Sequence, residues 1–373
     1  MAKTIILIDH EPFTIRRKEL FYIEELIAAG FNVSVWNITR WYYPEMSIVD
    51  TIDKDYVKHI KGVIELQECL ESCNIKDSVF IVESFWNWRT RELFRMLSDY
   101  KCCTIRMDLY ANSTLMAPMS TRIKKLFSGL IIGILKNRFK QLLLLGYNKI
   151  HKVKQYDYYL SSSAIVNRTH SINHPDYEKW RFDKSKPVID GCYAVFCDIY
   201  FPYHPDIKNF AKCSHEVNGE VYQRKLRDFF DFIELKYQLP VVIAAHPKAD
   251  YDGNEFGNRP IIKYKTNNLI AYSSLVLMHW SNSVSFAVLN KRPIVLFYTD
   301  EHRTNYSWKS AIEQLSKTLG LAEYNIDKIG FYNVKPQCVD DNIASEYVHT
   351  YLTSKDVESR RNIDTIIDLI TQL

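Results

Sequence analysis

SLVLMHWSNSVSFAVLNKRPIVLFYT, residues 274–299, contains two largely apolar runs, 274–279 and 293–299, separated by a polar turn and a short amphipathic stretch, 283–290. Each run is too short for a buried helix and carries β-branched or aromatic residues, so both read as strands covered on both faces. The stretch between them has helical spacing. Strand, helix and strand in that order return the chain to the same end of the sheet, so the two strands run parallel.

The same rhythm extends in both directions. Strands are expected at 193–199 and 240–245, a helix at 220–237, and further helices near 308–319 and 355–373. In the first half, strands are expected at 3–9, 31–38, 78–83, 102–108 and 157–161, with helices at 14–29 and 87–99. Residues 50–75 fit either one long helix or a strand followed by a helix. The polar stretch 167–186 interrupts the rhythm and reads as the connection between two domains. The expected architecture is α/β: two doubly wound, Rossmann-like domains, 1–185 and 186–373, facing each other across a cleft.

A chain of 373 residues with 25% charged and 47% hydrophobic residues has the material for two such cores, and its composition excludes a disordered or low-complexity protein. The formal charge of +4 is unevenly placed. No Asp or Glu occurs between Leu109 and Tyr156, whereas Arg122, Lys124, Lys125, Lys136, Arg138, Lys140, Lys149, Lys152 and Lys154 do, leaving the rest of the chain at −5. One basic segment on an acidic body argues against a nucleic-acid partner. The eight cysteines form no CxxC pair, and the N-terminus has an apolar run of only four residues before Asp9. Free thiols, a cytoplasmic location and the absence of a secretory leader are the expectation. The apolar run 126–135 is too short to cross a bilayer.

Ligands of open parallel sheets bind beyond the carboxyl ends of the strands. The polar residues closing the apolar runs are Asp9, His10, Glu11, Glu83, Ser84, Asp108, Asp198, His246, His279, Ser281 and Ser283. Any one of them is equally compatible with a structural role at a strand end; the concentration at one rim is the signal. Three local patterns stand out. In VVIAAHPK a strand delivers His246 to the rim, Pro247 keeps it extended and Lys248 adds a positive charge, a group suited to a departing phosphate. Ser281, Asn282 and Ser283 lie between strand and helix, where hydroxyls and amides either cap the helix or cradle an anion. In DIYFPYHPD, Asp198, His204 and Asp206 fall within nine residues, either lining the cleft or forming a proline-pinned turn.

A strand ending in His-Pro, a serine-containing strand-to-helix turn some thirty residues later, and then Lys291-Arg292-Pro293-Ile294-Val295 resembles the donor half of bacterial GT-B glycosyltransferases of surface polysaccharide synthesis. The pattern is most similar to the CMP-sugar-using sialyl-, polysialyl- and Kdo-transferases and to the CDP-glycerol polymerases of teichoic acid assembly. It covers about residues 190–300. The resemblance implies donor contacts from His246, Lys248, Ser281, Asn282, Ser283 and His204. Ile189-Asp190-Gly191 departs from the acidic element of the sialyltransferases, so their base has no counterpart here. Asp198, Glu83 and His10, in that order, are the candidates, with His246 as the second catalytic group. With fixed donors to supply the charge, a transfer without metal or cofactor is expected.

Residues 120–154 combine leucine and isoleucine with basic clusters. They read either as an amphipathic segment on an anionic membrane surface, through Arg122, Lys124, Lys125, Lys136, Arg138 and Lys140, or as a buried helix with snorkelling lysines. The expected protein is a cytoplasmic, membrane-peripheral glycosyltransferase. It takes a nucleotide-sugar donor, CMP-activated nonulosonic acid or Kdo by preference, to a glycan or lipid-linked acceptor. The alternatives are a CDP-polyol phosphotransferase and a non-catalytic assembly scaffold.

Overall fold

The computed structural model describes residues 3–45, 51–109, 131–204, 217–303 and 306–373. The chain divides into two compact units. One holds the described residues up to 109, 131–175 and 354–373, and the other holds 176–353.

The first unit is a seven-stranded parallel sheet in the order β3-β2-β1-β4-β5-β6-β7. Its strands are β1 (Thr4–Asp9), β2 (Asn32–Asn37), β3 (Val57–His59), β4 (Ser78–Glu83), β5 (Cys103–Asp108), β6 (Tyr158–Ser161) and β7 (His170–Ser171). Alternation along β1 and β4 sends Ile5, Leu7, Val79 and Ile81 to one layer of core and Ile6, Ile8, Phe80 and Val82 to the other. The expected helix over 14–29 is broken at Tyr22, which adopts a left-handed conformation (φ 55°), into Ile15–Leu20 and Ile23–Ala28. Residues 50–75 resolve as strand then helix, Val57–His59 and Val63–Glu71.

The second unit is a six-stranded parallel sheet in the order β10-β9-β8-β11-β12-β13. Its strands are β8 (Ala194–Cys197), β9 (Val241–Ala245), β10 (Ile261–Lys263), β11 (Leu275–Met278), β12 (Ile294–Tyr298) and β13 (Glu323–Asn325). The opening stretch behaves as read: Val276 pairs with Ile294 and Met278 with Leu296 in parallel register around the helix Val284–Leu289.

Two boundaries differ from the sequence division at 185/186. The units meet at Pro175, inside the expected connection, which is itself structured as β7 and the helix Pro175–Phe182. The last helix, Asn362–Gln372, belongs to the first unit rather than the second. It buries Ile363, Ile366, Leu369 and Ile370 against the layer that holds Ile5 and Leu7. Its first residue is tied in by reciprocal bonds: the Asn173 amide donates to Asn362 Oδ1 at 2.6 Å, and Asn362 Nδ2 donates to the Asn173 carbonyl at 2.8 Å.

Candidate functional site

In both sheets the chain first builds strands to one side of its opening strand and then crosses to the other, so the switch points lie between β1 and β4 and between β8 and β11. Register sets what lies there. Asp9 and Glu83 are direct partners at the carboxyl ends of β1 and β4.

Both carboxyls are buried, and each faces a guanidinium. Asp9 Oδ2 accepts from Arg17 Nε at 2.8 Å and Oδ1 from the Glu11 amide at 3.0 Å; Glu83 Oε2 lies 3.4 Å from Arg106 Nη1. Burial pushes the Glu83 pKa up to about 7 despite Arg106 and Arg17, and raises that of Asp9 in spite of Arg17. His10, half-buried, hydrogen-bonds through Nδ1 to the carbonyl of Glu83. A carbonyl only accepts, so Nδ1 carries the proton and the neutral ring presents a lone pair on Nε2. That is the arrangement of an oriented general base. Asp108 completes the edge, accepting from the Ser161 hydroxyl at 2.9 Å.

At the second switch point Asp198, 6% exposed, is a hub. Its Oδ1 accepts from the Tyr200 amide at 2.9 Å; its Oδ2 accepts from the Tyr251 hydroxyl at 2.7 Å and the His246 amide at 3.3 Å. Burial raises its pKa to about 6 against those bonds. With its oxygens so engaged, Asp198 holds the loops that present His246. Nδ1 of His246 accepts from the Lys248 amide at 3.1 Å, which places the proton of the neutral ring on Nε2. The His204 ring meets His246 edge to face, 4.6 Å between centroids.

The serine turn lies beside this group. Ser281 and Ser283 share a 2.7 Å hydroxyl contact, the Ser283 amide donates to Ser281 Oγ at 3.3 Å, and the Ser283 hydroxyl reaches the thiol of Cys197, the residue before Asp198. Ser283 stands at the cap position but makes no side-chain cap bond. Asn282 is exposed at the tip. The structure thus gathers Asp198, His204, His246, Lys248 and the serines at one edge, and Glu83 and His10 at the other unit's edge.

His279, expected at the rim, is a core residue. Its Nδ1 donates to the Phe297 carbonyl at 2.7 Å, its Nε2 accepts from Tyr222 at 2.9 Å, and burial lowers its pKa to about 4, keeping the ring neutral. Sequence reading missed Arg17, Arg106 and Tyr251. Arg17 and Arg106 carried one usable signal, each being a cation inside an otherwise apolar pattern; nothing marked Tyr251.

Arg122, Lys124 and Lys125 lie outside the described residues, as does the side chain of Lys136. Arg138 and Lys140 project into solvent from the helix Ile131–His151. Among the described residues no helix is long and apolar enough to cross a membrane.

No protein-family profile matches the chain, and no curated protein matches it. Solved structures do. The calicheamicin glycosyltransferase CalG4 is 10% identical with a TM-score of 0.56 over 100% of this chain and 98% of its own. The glycotransferase of kitacinnamycin is 10% identical with a TM-score of 0.54 over 100% of this chain and 99% of its own. The chain therefore has the GT-B fold, two parallel-sheet Rossmann-like units.

Proposed function

We propose that the chain is a nucleotide-sugar-dependent glycosyltransferase, and that His10 is its general base. The observation that carries this reading is the bond from His10 Nδ1 to the Glu83 carbonyl, which fixes a lone pair on Nε2 at the switch point of the first sheet. Nε2 takes the proton of an acceptor hydroxyl as its oxygen attacks the anomeric carbon, and the bond from that carbon to the donor phosphate breaks with its electrons on the phosphate. His246 Nε2–H, Lys248 and the hydroxyls of Ser281 and Ser283 receive the negative charge. These fixed donors supply the stabilisation without a metal on this proposal. Glu83 positions His10 through its backbone carbonyl, and Asp198 positions His246. This reverses the order expected from sequence.

The donor half supports a CMP-activated sugar of the nonulosonic or Kdo type through the His246-Pro247 and serine elements, and the acceptor is a surface glycan or lipid-linked precursor. The same reading places the enzyme peripherally at the cytoplasmic face of a membrane.

Thermal-shift titration with CMP, CDP and UDP tests the donor class, because a ligand that binds only the folded state raises the melting temperature. CMP is expected to stabilise most. Stabilisation by CDP alone, with nucleotide release from a CDP-polyol, moves the chain to polyol phosphate transfer. No stabilisation by any of the three at millimolar concentration leaves a non-catalytic scaffold and overturns the proposal.

A further inference from the structure

The helix Ile131–His151 is apolar on the wrong side. Phe139 is 62% exposed, Leu142 66%, Leu143 40%, Leu145 65% and Ile150 77%. At 100° per residue, Phe139, Leu142, Leu143, Gly146 and Ile150 form one stripe, i, i+3, i+4, i+7 and i+11, and that stripe faces solvent. The opposite side, Leu144, Tyr147 and Asn148, faces the first unit. There the Tyr147 hydroxyl donates to Glu92 Oε1 at 3.1 Å, and its ring packs 6.4 Å from Trp88. So the helix is anchored to the loop and helix that follow β4, the strand ending in Glu83, with its greasy face left outward.

The charges beside the stripe have one sign. Arg138, Lys140, Lys149 and Lys152 are exposed, none is ion-paired among the described residues, and the whole stretch from 110 to 155 lacks an acid. Lys154 is excluded from this set because it pairs with Asp157. The alternative of a buried helix with snorkelling lysines is thereby set aside for residues 138–151. Two copies of this face would bring four cations against four, so self-association is disfavoured, whereas an anionic lipid surface neutralises the cations and accepts the aliphatic side chains together.

We propose that this face docks the protein on an anionic lipid bilayer, with Phe139, Leu142, Leu143 and Ile150 entering the interface and Arg138, Lys140, Lys149 and Lys152 on the headgroups. It gives the membrane location of the preceding section a surface and a chemistry, yet uses none of the donor or base residues.

The test is co-sedimentation of the full chain with phosphatidylcholine vesicles and with vesicles rich in phosphatidylglycerol, at low and high salt. Binding is expected only to the anionic vesicles and to weaken with salt. At about 1 kcal/mol per basic residue, each lost cation lowers partitioning about fivefold, so Arg138→Glu with Lys149→Glu lowers it by about 25-fold or more. Leu142→Asn with Ile150→Asn is expected to lower it by about tenfold at unchanged charge. All four positions are exposed, so an unchanged melting curve certifies the fold. Nucleotide-induced stabilisation persists in both variants, separating failure here from failure of the sugar-transfer reading. Equal binding to both vesicle types, wild-type binding by both variants, or concentration-dependent dimerisation that Leu142→Asn with Ile150→Asn abolishes would overturn the proposal, the last in favour of a second copy of the chain.

Discussion

His10 owes its role to a single backbone carbonyl. Because that acceptor belongs to Glu83 on the adjacent strand, the imidazole is oriented by the sheet rather than by a flexible side chain. His10→Ala is expected to lower kcat about 10²- to 10⁴-fold while the nucleotide-induced thermal shift stays unchanged; a parallel loss of both would assign the histidine to folding. Glu83 makes a second prediction. Its folded pKa of about 7 exceeds its ordinary value of 4.5, so the folded state holds a proton that the unfolded state releases between those values, and stability falls as pH rises through that window, by up to about 3 kcal/mol. Glu83→Gln removes this contribution, so denaturant midpoints of the first unit should no longer fall as pH rises from 6.5 to 8. His10 and Glu83 were legible because each closes an apolar run. His279 closes one too, yet it ends in the core because Tyr222, 57 residues earlier, and the Phe297 carbonyl consume its ring nitrogens, and no local pattern announces partners so remote.

At the scale of elements, long apolar strands were readable and very short ones were not. β4 occupies 78–83 as expected, while β10 and β13, three residues each, carry too little periodicity to separate from loop. The last helix was readable as a helix but not as to destination, since its apolar stripe fits either unit and only packing decides. Its four buried aliphatic side chains, at about 1.5–3 kcal/mol each, match the whole stability of an ordinary domain. Truncation after Thr353 should therefore unfold the first unit and leave the second folded, seen as loss of one of two transitions in denaturant. Asn362→Ala, which strips the Asn173 amide and carbonyl of their partners, should cost about 2–4 kcal/mol in the first unit alone. An equal effect on both transitions would contradict the assignment of this helix.

For the molecule as a whole, buried titratable groups predict that acid distinguishes the two units. The second holds His279, its pKa lowered to about 4, and His302, lowered well below 6.5 by burial and by His279. Both bind protons more readily unfolded than folded, so their contribution is complete above pH 6.5 and is lost as pH falls. Asp198 opposes them, its raised pKa of about 6 favouring the folded state on acidification from that point toward 3.8. From pH 6.5 to 5, two protons act against folding and one acts for it over a shorter interval, so the second unit loses stability on acidification. The first unit is balanced differently. His174, lowered to about 3, loses stability over the same interval, but Glu83 gains at least as much and the raised Asp9 adds in the same direction. Hydrogen exchange at the two pH values, corrected for intrinsic rates, should show protection falling in β8, β9, β11 and β12 and holding in β1, β4 and β5. The reverse pattern, or a uniform loss, would mean that the buried imidazoles of the second unit find acceptors when charged, and the loss attributed to their burial would then be absent.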